Sequence, residues 1–393
     1  MTVYIDITEF INCPIRSGVQ RVVRALLSNW PNEVESQPVV FHRDTRRLYK
    51  VPLRALDFAV ELARQDFGTD SEVQNELNFL GAFRQDRPVY FSDSDSVLIP
   101  EVFYDPPRVE FYKSIIITSS VLPHFIVYDF VPWLRPDVVR LEVGAGSAIM
   151  PYLQLIQIAE KRAFISSAVR DDFAYRVLRS SKPNRMGHVV PLGADGIGGR
   201  RQEFDPTKTV VACIGTLDGK KNQHLLFEAF TSLVDIPNLQ LVFLGKAPAA
   251  PAPWLRSLLL STSERVKIID NPTDEQIFQT LTTARATAFI STNEGFGLPA
   301  IESLYLGIPV IVHKSLPAIS NLPNVGQIRL ESNDHTHLQE ALRHIDSNQK
   351  LEQLWKEAKT LRLGTWKSFS NRIADWAHNR PFGSLKRSAW LRR

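Results

Sequence analysis

The chain has 393 residues, of which 44% are hydrophobic and 22% charged, and its formal net charge is +4. This length suits two domains of roughly 150–200 residues better than a single core. The charge balance lacks the concentrated positive excess of a nucleic-acid-binding protein, whereas anionic nucleotides or an anionic membrane surface would account for it. Cys13 and Cys213 lie in or beside apolar runs, so we predict buried thiols in a reducing compartment rather than a disulfide.

The N-terminal part predicts a strand, a loop and a helix. Residues 3–8 form an apolar run, and Ser17 and Gln20 have the spacing of a capping box. A loop that contains Gly18 therefore joins the strand to the helix, which is the phosphate-facing arrangement of Rossmann-type units. The N-terminus has no basic leader and the apolar window 114–134 is interrupted by polar residues, so we expect no signal peptide, no membrane span and a cytoplasmic protein.

A basic run follows the predicted helix. It is interpreted either as a solvated face or as a surface that contacts an acceptor or a membrane. Its members are Arg43, Arg46, Arg47, Lys50 and Arg54.

Apolar runs predict further strands at residues 96–100, 114–121 and 124–130. Asp129 lies at the carboxyl end of the last of these, where ligand-binding groups gather in open α/β sheets. It could equally cap the turn that Pro132 enforces. The sequence leaves both roles open.

The first domain is predicted to end near residue 195. Strand-like runs at 164–168 and 187–193 precede a stretch at 196–208 that is rich in glycine and charge and is predicted to be a linker. A new apolar strand then begins at residue 209.

The segment after that strand carries two adjacent lysines. Lys220 and Lys221 would place point charges at a strand-to-helix junction, where a diphosphate could lie, although an exposed basic turn is the alternative. Asn222 is predicted to be the N-cap of the helix that follows.

Apolar runs alternate with helical segments through the second half, which predicts a parallel sheet covered by helices on both faces. These runs are residues 239–245, 266–270, 286–291, 308–312 and 327–330. The histidines nearby have no accompanying cysteine or acid cluster, so a solvated helix start is favoured over a metal site. They are His335, His337 and His344.

The most informative stretch lies between the runs that begin at 286 and 308. Gly295 and Gly297 break the strand into a loop, and Pro299 suits the first turn of a short helix because its missing N–H would be unpaired there. Free backbone N–H groups at such a helix start favour an anion such as phosphate.

Two glutamates, Glu294 and Glu302, frame this loop with seven residues between them. A carboxylate in the loop can accept hydrogen bonds from sugar hydroxyls, and one farther into the helix can bind a ribose diol. The alternative is a solvated loop residue and a glutamate that complements the helix dipole.

This stretch resembles the E-x7-E signature of retaining glycosyltransferases, in particular family 4, of the type that builds bacterial cell-surface polysaccharides. The resemblance implies the GT-B fold, an α/β architecture in which two Rossmann-like domains have parallel sheets that face a central cleft. It implies that Glu294 contacts the donor hexose and Glu302 the nucleotide ribose.

Other segments are similar to this family as well. Ser17-Gly18-Val19 is similar to its loop near the donor pyrophosphate, and Gly215-Thr216 through Asn222 is similar to its Gly-Thr-x-x-x-Arg/Lys-Lys-Asn motif. Tyr128 stands where the family usually has a histidine before Asp129. Residues 316–321 lack a glutamate common in the family, so Ser320 or Asn321 could replace that contact.

The resemblance thus implies a set of site residues and no metal ligand or cofactor. The expected catalytic residues are Glu294, Asp129 and Lys221. The expected donor-binding residues are Gly18, Thr216, Lys220, Lys221, Glu294, Gly295, Phe296, Gly297, Leu298 and Glu302.

The implied function is metal-independent, retaining transfer of a hexose from a nucleotide sugar, with GDP-mannose the first choice, to a saccharide or lipid-linked saccharide. The expected domains are an acceptor domain (1–195), a donor domain (209–365) and a final helix (366–393) that returns to the first domain. A nucleotide-sugar epimerase and a non-enzymatic nucleotide-sugar-binding protein are the alternatives. Peripheral membrane contact is compatible with this function, and nucleic-acid binding is not expected.

Overall fold

In a computed structural model the chain forms two α/β units. The structure describes residues 1–14, 17–65, 71–136, 145–217, 221–248, 253–259 and 264–379. The first unit comprises Met1–Gly193 and the described residues from Thr365 onward, and the second comprises Ala194–Gly364. The chain thus changes unit at Gly193 and again at Gly364.

The sheet of the first unit has the strand order β3-β2-β1-β4-β5-β6-β7 among the described residues, and all neighbours are parallel except β2 and β3. The strands are β1 Val3–Asp6, β2 Ser36–His42, β3 Arg47–Lys50, β4 Ser96–Ile99, β5 Pro123–Val127, β6 Lys161–Phe164 and β7 His188–Val189. Every residue of β1, β4 and β5 is buried, as expected for parallel strands covered on both faces.

The helices of this unit connect the strands. They are α1 Thr8–Asn12, α2 Gly18–Ser28, α3 Leu53–Gln65, α4 Ser71–Phe79, α5 Pro106–Thr118, α6 Val131–Leu134, α7 Ala145–Ile158 and α8 Ser167–Asp171. A π-helical turn, Asp172–Val177, continues α8, and a short 3₁₀ turn spans Pro183–Arg185.

Two differences from the sequence prediction occur in the first unit. Residues 114–121 were predicted to be a strand, but most of them form the last turns of α5. The basic run belongs to the β2–β3 hairpin and the start of α3; Arg46 has φ of 50° at the hairpin turn. Because β3 pairs antiparallel with β2, this sheet is mixed rather than wholly parallel.

The second unit has a wholly parallel sheet of order β10-β9-β8-β11-β12-β13 in the part of the chain that is described. Its strands are β8 Val210–Ile214, β9 Gln240–Leu244, β10 Val266–Ile269, β11 Ala284–Phe289, β12 Val310–His313 and β13 Gln327–Leu330. Its helices are α9 Gln223–Thr231, α10 Pro253–Leu259, α11 Asp274–Thr282, α12 Leu298–Tyr305, α13 His335–Asp346 and α14 Asn348–Ala358, with a 3₁₀ turn at Pro317–Ile319.

The segment that was predicted to be a linker packs within the second unit. Ile197 and Phe204 lie against its hydrophobic core, and Arg201 donates a hydrogen bond from Nη2 to the Leu361 carbonyl at 2.8 Å. These apolar anchors are isolated among glycine and charged residues, which is why the composition did not reveal them.

The helix that follows Gly364, α15 (Trp366–Ala377), packs on the first unit. The Ala377 carbonyl accepts a hydrogen bond from the Ser96 hydroxyl of β4 at 2.7 Å. The apolar stripe of α15 is buried and consists of Trp366, Phe369, Ile373 and Trp376. Among the described residues, no helix combines the length and apolarity needed to cross a membrane.

Contact with α15 buries His124 of β5. Its ring centroid lies 4.8 Å from that of Trp376, and its Nδ1 is 2.8 Å from the Leu122 carbonyl. Burial lowers the pKa of His124 to about 4 because the charged imidazolium would lose its hydration.

This pKa predicts that acid destabilises the first unit. Since the folded-state pKa of His124 lies below its unfolded value, its stabilising contribution is present above pH ~6.5 and is lost as the pH falls towards 4. We expect the free energy of unfolding to fall by about 2 kcal/mol between pH 7 and pH 5 on account of this group.

His124→Asn keeps a donor near the Leu122 carbonyl but cannot titrate, so denaturant melts at the two pH values should show a smaller acid loss than in the wild type. An unchanged acid loss in His124→Asn would contradict the prediction.

Candidate functional site

The sheet of the second unit reverses its strand order between β8 and β11, and the predicted donor residues follow these two strands. Ligands of open α/β sheets bind outside the carboxyl ends of the strands at such a reversal. The loop after β8 leads to Lys221, and the loop after β11 carries Glu294. Asn222 ties the loops together, since its Nδ2 donates to the Ile290 carbonyl at 3.2 Å.

Lys221 and Glu294 form an ion pair at this point. Nζ of Lys221 donates to Oε1 of Glu294, and it also lies 5.5 Å from the centroid of the Phe289 ring. The exposed fractions of the two side chains are 23% and 16%, so the pair is largely shielded from water. Shielded charges at the mouth of a sheet can bind a charged, polar ligand more strongly than exposed ones.

The loop that contains Gly295 and Gly297 packs against the segment around Leu316 and Ala318. Gly297 has φ of 111° at the N-cap of α12, and a Cβ there would lie 2.6 Å from Cδ1 of Leu316, so both the conformation and the space require glycine. The carbonyl of buried Phe296 accepts a hydrogen bond from the Ala318 N–H at 2.9 Å. The segment that departs from the family pattern therefore supports the loop through packing.

Glu302 is almost completely buried. It is the fifth residue of α12, in the second turn of the helix, and its exposed fraction is 1%. Next to it, Ser303 accepts a hydrogen bond from Thr287 of β11 at 2.7 Å and donates to the Ile308 carbonyl at 3.0 Å. This part of α12 is thus fixed to the sheet.

Gln223 was not identified from the sequence. Its Nε2 donates to the carbonyls of Gly215 and Thr216 at 3.2 and 3.1 Å, and the residue is buried at the start of α9. It holds the Thr216 backbone in place, while Asn222, the predicted cap, uses its side chain to bind the other loop. A buried glutamine in the first turn of a helix has no periodic signal that would distinguish it from a solvated one.

Three predicted site residues are not among those described above in the second unit. Lys220 lies outside the described residues, and Gly18 and Asp129 belong to the first unit. Gly18 begins α2 in the first unit, where the Ser17 hydroxyl accepts the Gln20 N–H at 3.2 Å. The Gln20 side chain donates instead to the Glu9 carbonyl at 3.4 Å, so only half of the predicted capping box forms.

Asp129, the third, is exposed and follows β5. Its Oδ1 accepts the Val131 N–H at 3.0 Å, which is the capping role that the sequence left open beside ligand binding. It also lines a cavity of ≈ 390 Å³ within the first unit.

That cavity lies where the sheet of the first unit reverses its order, between β1 and β4. Glu9, which follows β1, and Glu101, which follows β4, contribute to its wall. Like Asp129 they lie beyond the carboxyl ends of inner strands, and that position is the signal by which the sequence could have identified them.

A buried charge cluster lies behind these glutamates. Arg108 of α5 is fully buried and donates to Asp6 at 3.0 Å, to Glu9 at 3.1 Å and to Glu101 at 2.9 Å. Burial raises the pKa of Glu101 to about 7, against the opposing effect of the Arg108 guanidinium. The Tyr112 hydroxyl donates to Asp6, and burial raises the pKa of this tyrosine well above its ordinary value.

Metal-binding clusters are absent from the part of the chain that the structure describes: no group of three or more His, Cys, Asp or Glu side chains there could hold a metal ion. The two cysteines are both free. His335 is the first residue of α13 and directly follows the N-cap residue Asp334, so it lies at a helix start, as expected from the sequence.

Comparisons with known proteins agree with this geometry. Residues 200–362 match the family described as Glycosyl transferases group 1. The chain is 24% identical over 339 residues to the serotype-specific mannosyltransferase WbdA of Escherichia coli, a match that covers 81% of this chain and 39% of that protein. It therefore spans well under half of the length of this relative.

Solved structures with the same fold include Anabaena Alr3699/HepE in complex with UDP and glucose, at a TM-score of 0.64 and 14% identity, covering 95% of this chain and 98% of that one. Sucrose-phosphate synthase from Thermosynechococcus elongatus follows at a TM-score of 0.61 and 14% identity, with coverage of 96% and 98%.

The fold is thus GT-B, and the predicted resemblance to GT-B glycosyltransferases is confirmed. The match to the Glycosyl transferases group 1 model lies within the second unit, and the Lys221–Glu294 pair lies in the matched range, at the strand-order reversal. Membership of family 4 in particular remains a prediction.

Proposed function

We propose that this protein is a retaining glycosyltransferase of polysaccharide synthesis that transfers a hexose from a nucleotide sugar to a saccharide or lipid-linked saccharide. The observation that carries the proposal is the ion pair of Lys221 and Glu294 at the strand-order reversal of the group 1 domain. The mannosyltransferase relative supports GDP-mannose as the first donor to test, and the UDP complex of a structural neighbour makes UDP-sugars the second.

In this proposal the second unit binds the donor. Lys221 neutralises the diphosphate together with Lys220, the Thr216 loop and the N–H groups at the start of α12. Glu294 accepts hydrogen bonds from the hexose hydroxyls, and Glu302 accepts them from the ribose. The loop Gly295 to Leu298 follows the donor closely. The donor-binding role of Gly18 and the catalytic role of Asp129 stay predictions.

In this proposal, donor binding replaces Glu294 by the diphosphate as the partner of Lys221. The Lys221 ammonium donates to Glu294, and a diphosphate would compete for it because a diphosphate offers more oxygen atoms and charge. When Lys221 turns to the diphosphate, the Glu294 carboxylate becomes available to the sugar. Both groups are thus positioned and shielded from water before the reaction begins.

The reaction breaks the bond between the anomeric carbon and the phosphate oxygen, and the nucleoside diphosphate leaves with the electron pair. The acceptor hydroxyl oxygen bonds to the same face of the anomeric carbon through an oxocarbenium-like state, and its proton passes to the leaving phosphate. Lys221 and the loop amides stabilise the charge that develops on the diphosphate, so no metal ion is required.

Purified protein incubated with GDP-mannose, UDP-glucose and related nucleotide sugars tests the proposal. We expect release of nucleoside diphosphate that depends on an added saccharide acceptor and persists in EDTA. A new sugar epimer that remains attached to the nucleotide would identify an epimerase, and nucleotide-sugar binding without turnover would identify a binding protein. Loss of turnover in EDTA with recovery in manganese would disprove the metal-free mechanism.

The two glutamates should differ in their kinetic effect. Glu302→Gln is expected to raise KM for the donor more than it lowers kcat, because the ribose does not change during the reaction. Glu294→Gln should mainly lower kcat, because the hexose gains positive charge as its bond to phosphate breaks.

Steady-state curves with the donor varied check this difference, and a melting curve for each variant excludes loss of fold. Glu302 is buried, so its variant should also melt somewhat earlier, whereas Glu294→Gln should melt near the wild type. A normal kcat in Glu294→Gln would contradict the proposal that Glu294 contacts the hexose.

A further inference from the structure

Two asparagine side chains meet at the carbonyl of Ile290, the residue that follows β11 and begins the loop to Glu294. Nδ2 of Asn222 donates to this carbonyl at 3.2 Å from the start of α9, and Nδ2 of Asn333 donates to it at 2.6 Å. Asn333 lies three residues beyond β13, immediately before the N-cap of α13. Segments that follow three strands of the sheet, β8, β11 and β13, are therefore joined at one oxygen atom.

One of these two amides is enough to satisfy the carbonyl. Buried backbone carbonyls in native proteins have at least one hydrogen-bond partner, and Asn222 supplies it for buried Ile290. The shorter bond from Asn333 comes from the other side, because β8 and β13 lie on opposite sides of β11 in the sheet. Since the peptide group is planar, two donors restrict its orientation more than one donor does.

Asn222 gives up an ordinary role to make this contact. It occupies the N-cap position of α9, where an asparagine side chain usually accepts a backbone N–H of the first turn. Here its side chain makes no cap hydrogen bond, and its φ is 57°, in the left-handed region. Departures from local preference of this kind are expected at functional sites, so we interpret the contact with Ile290 as more than a helix end.

The far end of the same loop is fixed as well. The Phe296 carbonyl accepts a hydrogen bond from the Ala318 N–H at 2.9 Å. Between the two anchors, Glu294 pairs with Lys221, and both side chains are largely shielded from water. The Glu294 carboxylate thus belongs to a short segment that is held at both ends, and release of the Ile290 end would let it move relative to Lys221.

We propose that Asn333 is a positioning residue of the transfer reaction. Together with Asn222 it fixes the Ile290 carbonyl, and it thereby holds the Glu294 carboxylate where the hexose binds. This inference rests on the proposed transferase function, and it adds a residue that follows β13 to a site otherwise built from the loops after β8 and β11.

Asn333→Leu tests this role because it removes the donor and keeps the branching of the side chain. Asn222 still satisfies the Ile290 carbonyl, so we expect a melting temperature within about 4 °C of the wild type. Displacement of a group that acts in the transition state lowers kcat more than it weakens ground-state binding. We therefore expect kcat to fall about tenfold and KM for the donor to change by less than about threefold.

A double-mutant cycle with Glu294→Gln separates positioning from a general loosening of the fold. If Asn333 acts through Glu294, Asn333→Leu should lower kcat by less than about twofold in the Glu294→Gln background. Gln339→Leu is the matched control, because it removes an amide of α13 that donates to the Ser232 hydroxyl at 2.9 Å. It should leave kcat unchanged in both backgrounds.

The position of Glu294 can also be followed without turnover. The carbon-13 NMR signal of its carboxylate is identified by its disappearance in Glu294→Gln. We expect this signal to shift in Asn333→Leu and to stay in place in Gln339→Leu. Absence of turnover in the wild type would count against the proposed function, and the Glu294 signal would then decide the role of Asn333 by itself.

Asn333→Ala removes the same donor without adding volume and should reproduce the effects of Asn333→Leu. The proposal is overturned if these variants leave kcat and the Glu294 signal at their wild-type values. It is also overturned if they lower kcat equally in the two backgrounds, or if they lose activity only by unfolding at the assay temperature.

Discussion

Lys221→Ala is expected to lower kcat/KM for the donor by about 10- to 100-fold, because a charge-assisted contact to the diphosphate is worth about 1.5–3 kcal/mol. Lys50→Ala, in the basic run of the first unit, should leave kcat/KM within about twofold of the wild type. Both values come from steady-state assays with the donor varied. Equal small losses at the two positions would remove the phosphate assignment.

The ion pair makes a double-mutant cycle informative. If Lys221 only neutralises Glu294, then Lys221→Ala in a Glu294→Gln background should cost little, because the carboxylate that needed a partner is gone. If Lys221 binds the diphosphate, most of its effect should persist in that background. We expect the second result. Product release and nucleotide affinity are to be measured for the wild type, the two single variants and the double variant.

The positions of the strands in the second unit could be predicted because most of them are short, largely apolar runs with polar or glycine-rich borders. Residues 327–330 and the run that begins near 308 were found within two residues of β13 and β12. The prediction was wrong at 114–121, where consecutive isoleucines resemble a strand. Ile115 is buried and Ile117 is 76% exposed, although residues two apart would share one face of a strand. The helix becomes evident only when the whole of α5 is considered.

The Lys221–Glu294 pair was easier to predict than the cavity of the first unit. Lys221 and Glu294 each follow a strand with glycines beside them, so their positions on one edge of the sheet follow from the chain order. The Arg108 cluster joins residues about 100 positions apart, and in the sequence Arg108 stands beside prolines at a helix start, where a solvated arginine is common. Only the packing of α5 on the sheet shows that it is buried.

Arg108→Met is expected to destabilise the first unit by about 3–5 kcal/mol, because removing one partner of a buried ion cluster leaves the carboxyl groups of Asp6 and Glu101 buried without the guanidinium that compensates them. Methionine retains much of the volume, so the loss reports on charge rather than on a cavity. Arg176→Met removes an exposed partner of Asp172 and should change the free energy of unfolding by less than about 1 kcal/mol. Denaturant melts of both variants supply the values.

The pH dependence of Arg108→Met distinguishes charge from packing. Burial already raises the pKa of Glu101 to about 7, and loss of the guanidinium raises it further. An acid whose folded-state pKa exceeds its unfolded value destabilises the fold increasingly as the pH rises above about 4.5, because the folded state must give up a proton that it holds more tightly. The deficit of Arg108→Met relative to the wild type should therefore be larger at pH 8 than at pH 5, and Arg108→Met/Glu101→Gln should recover part of the loss at pH 8. A deficit that is the same at both pH values would mean that Arg108 acts through its packing over Phe103 instead of through its charge.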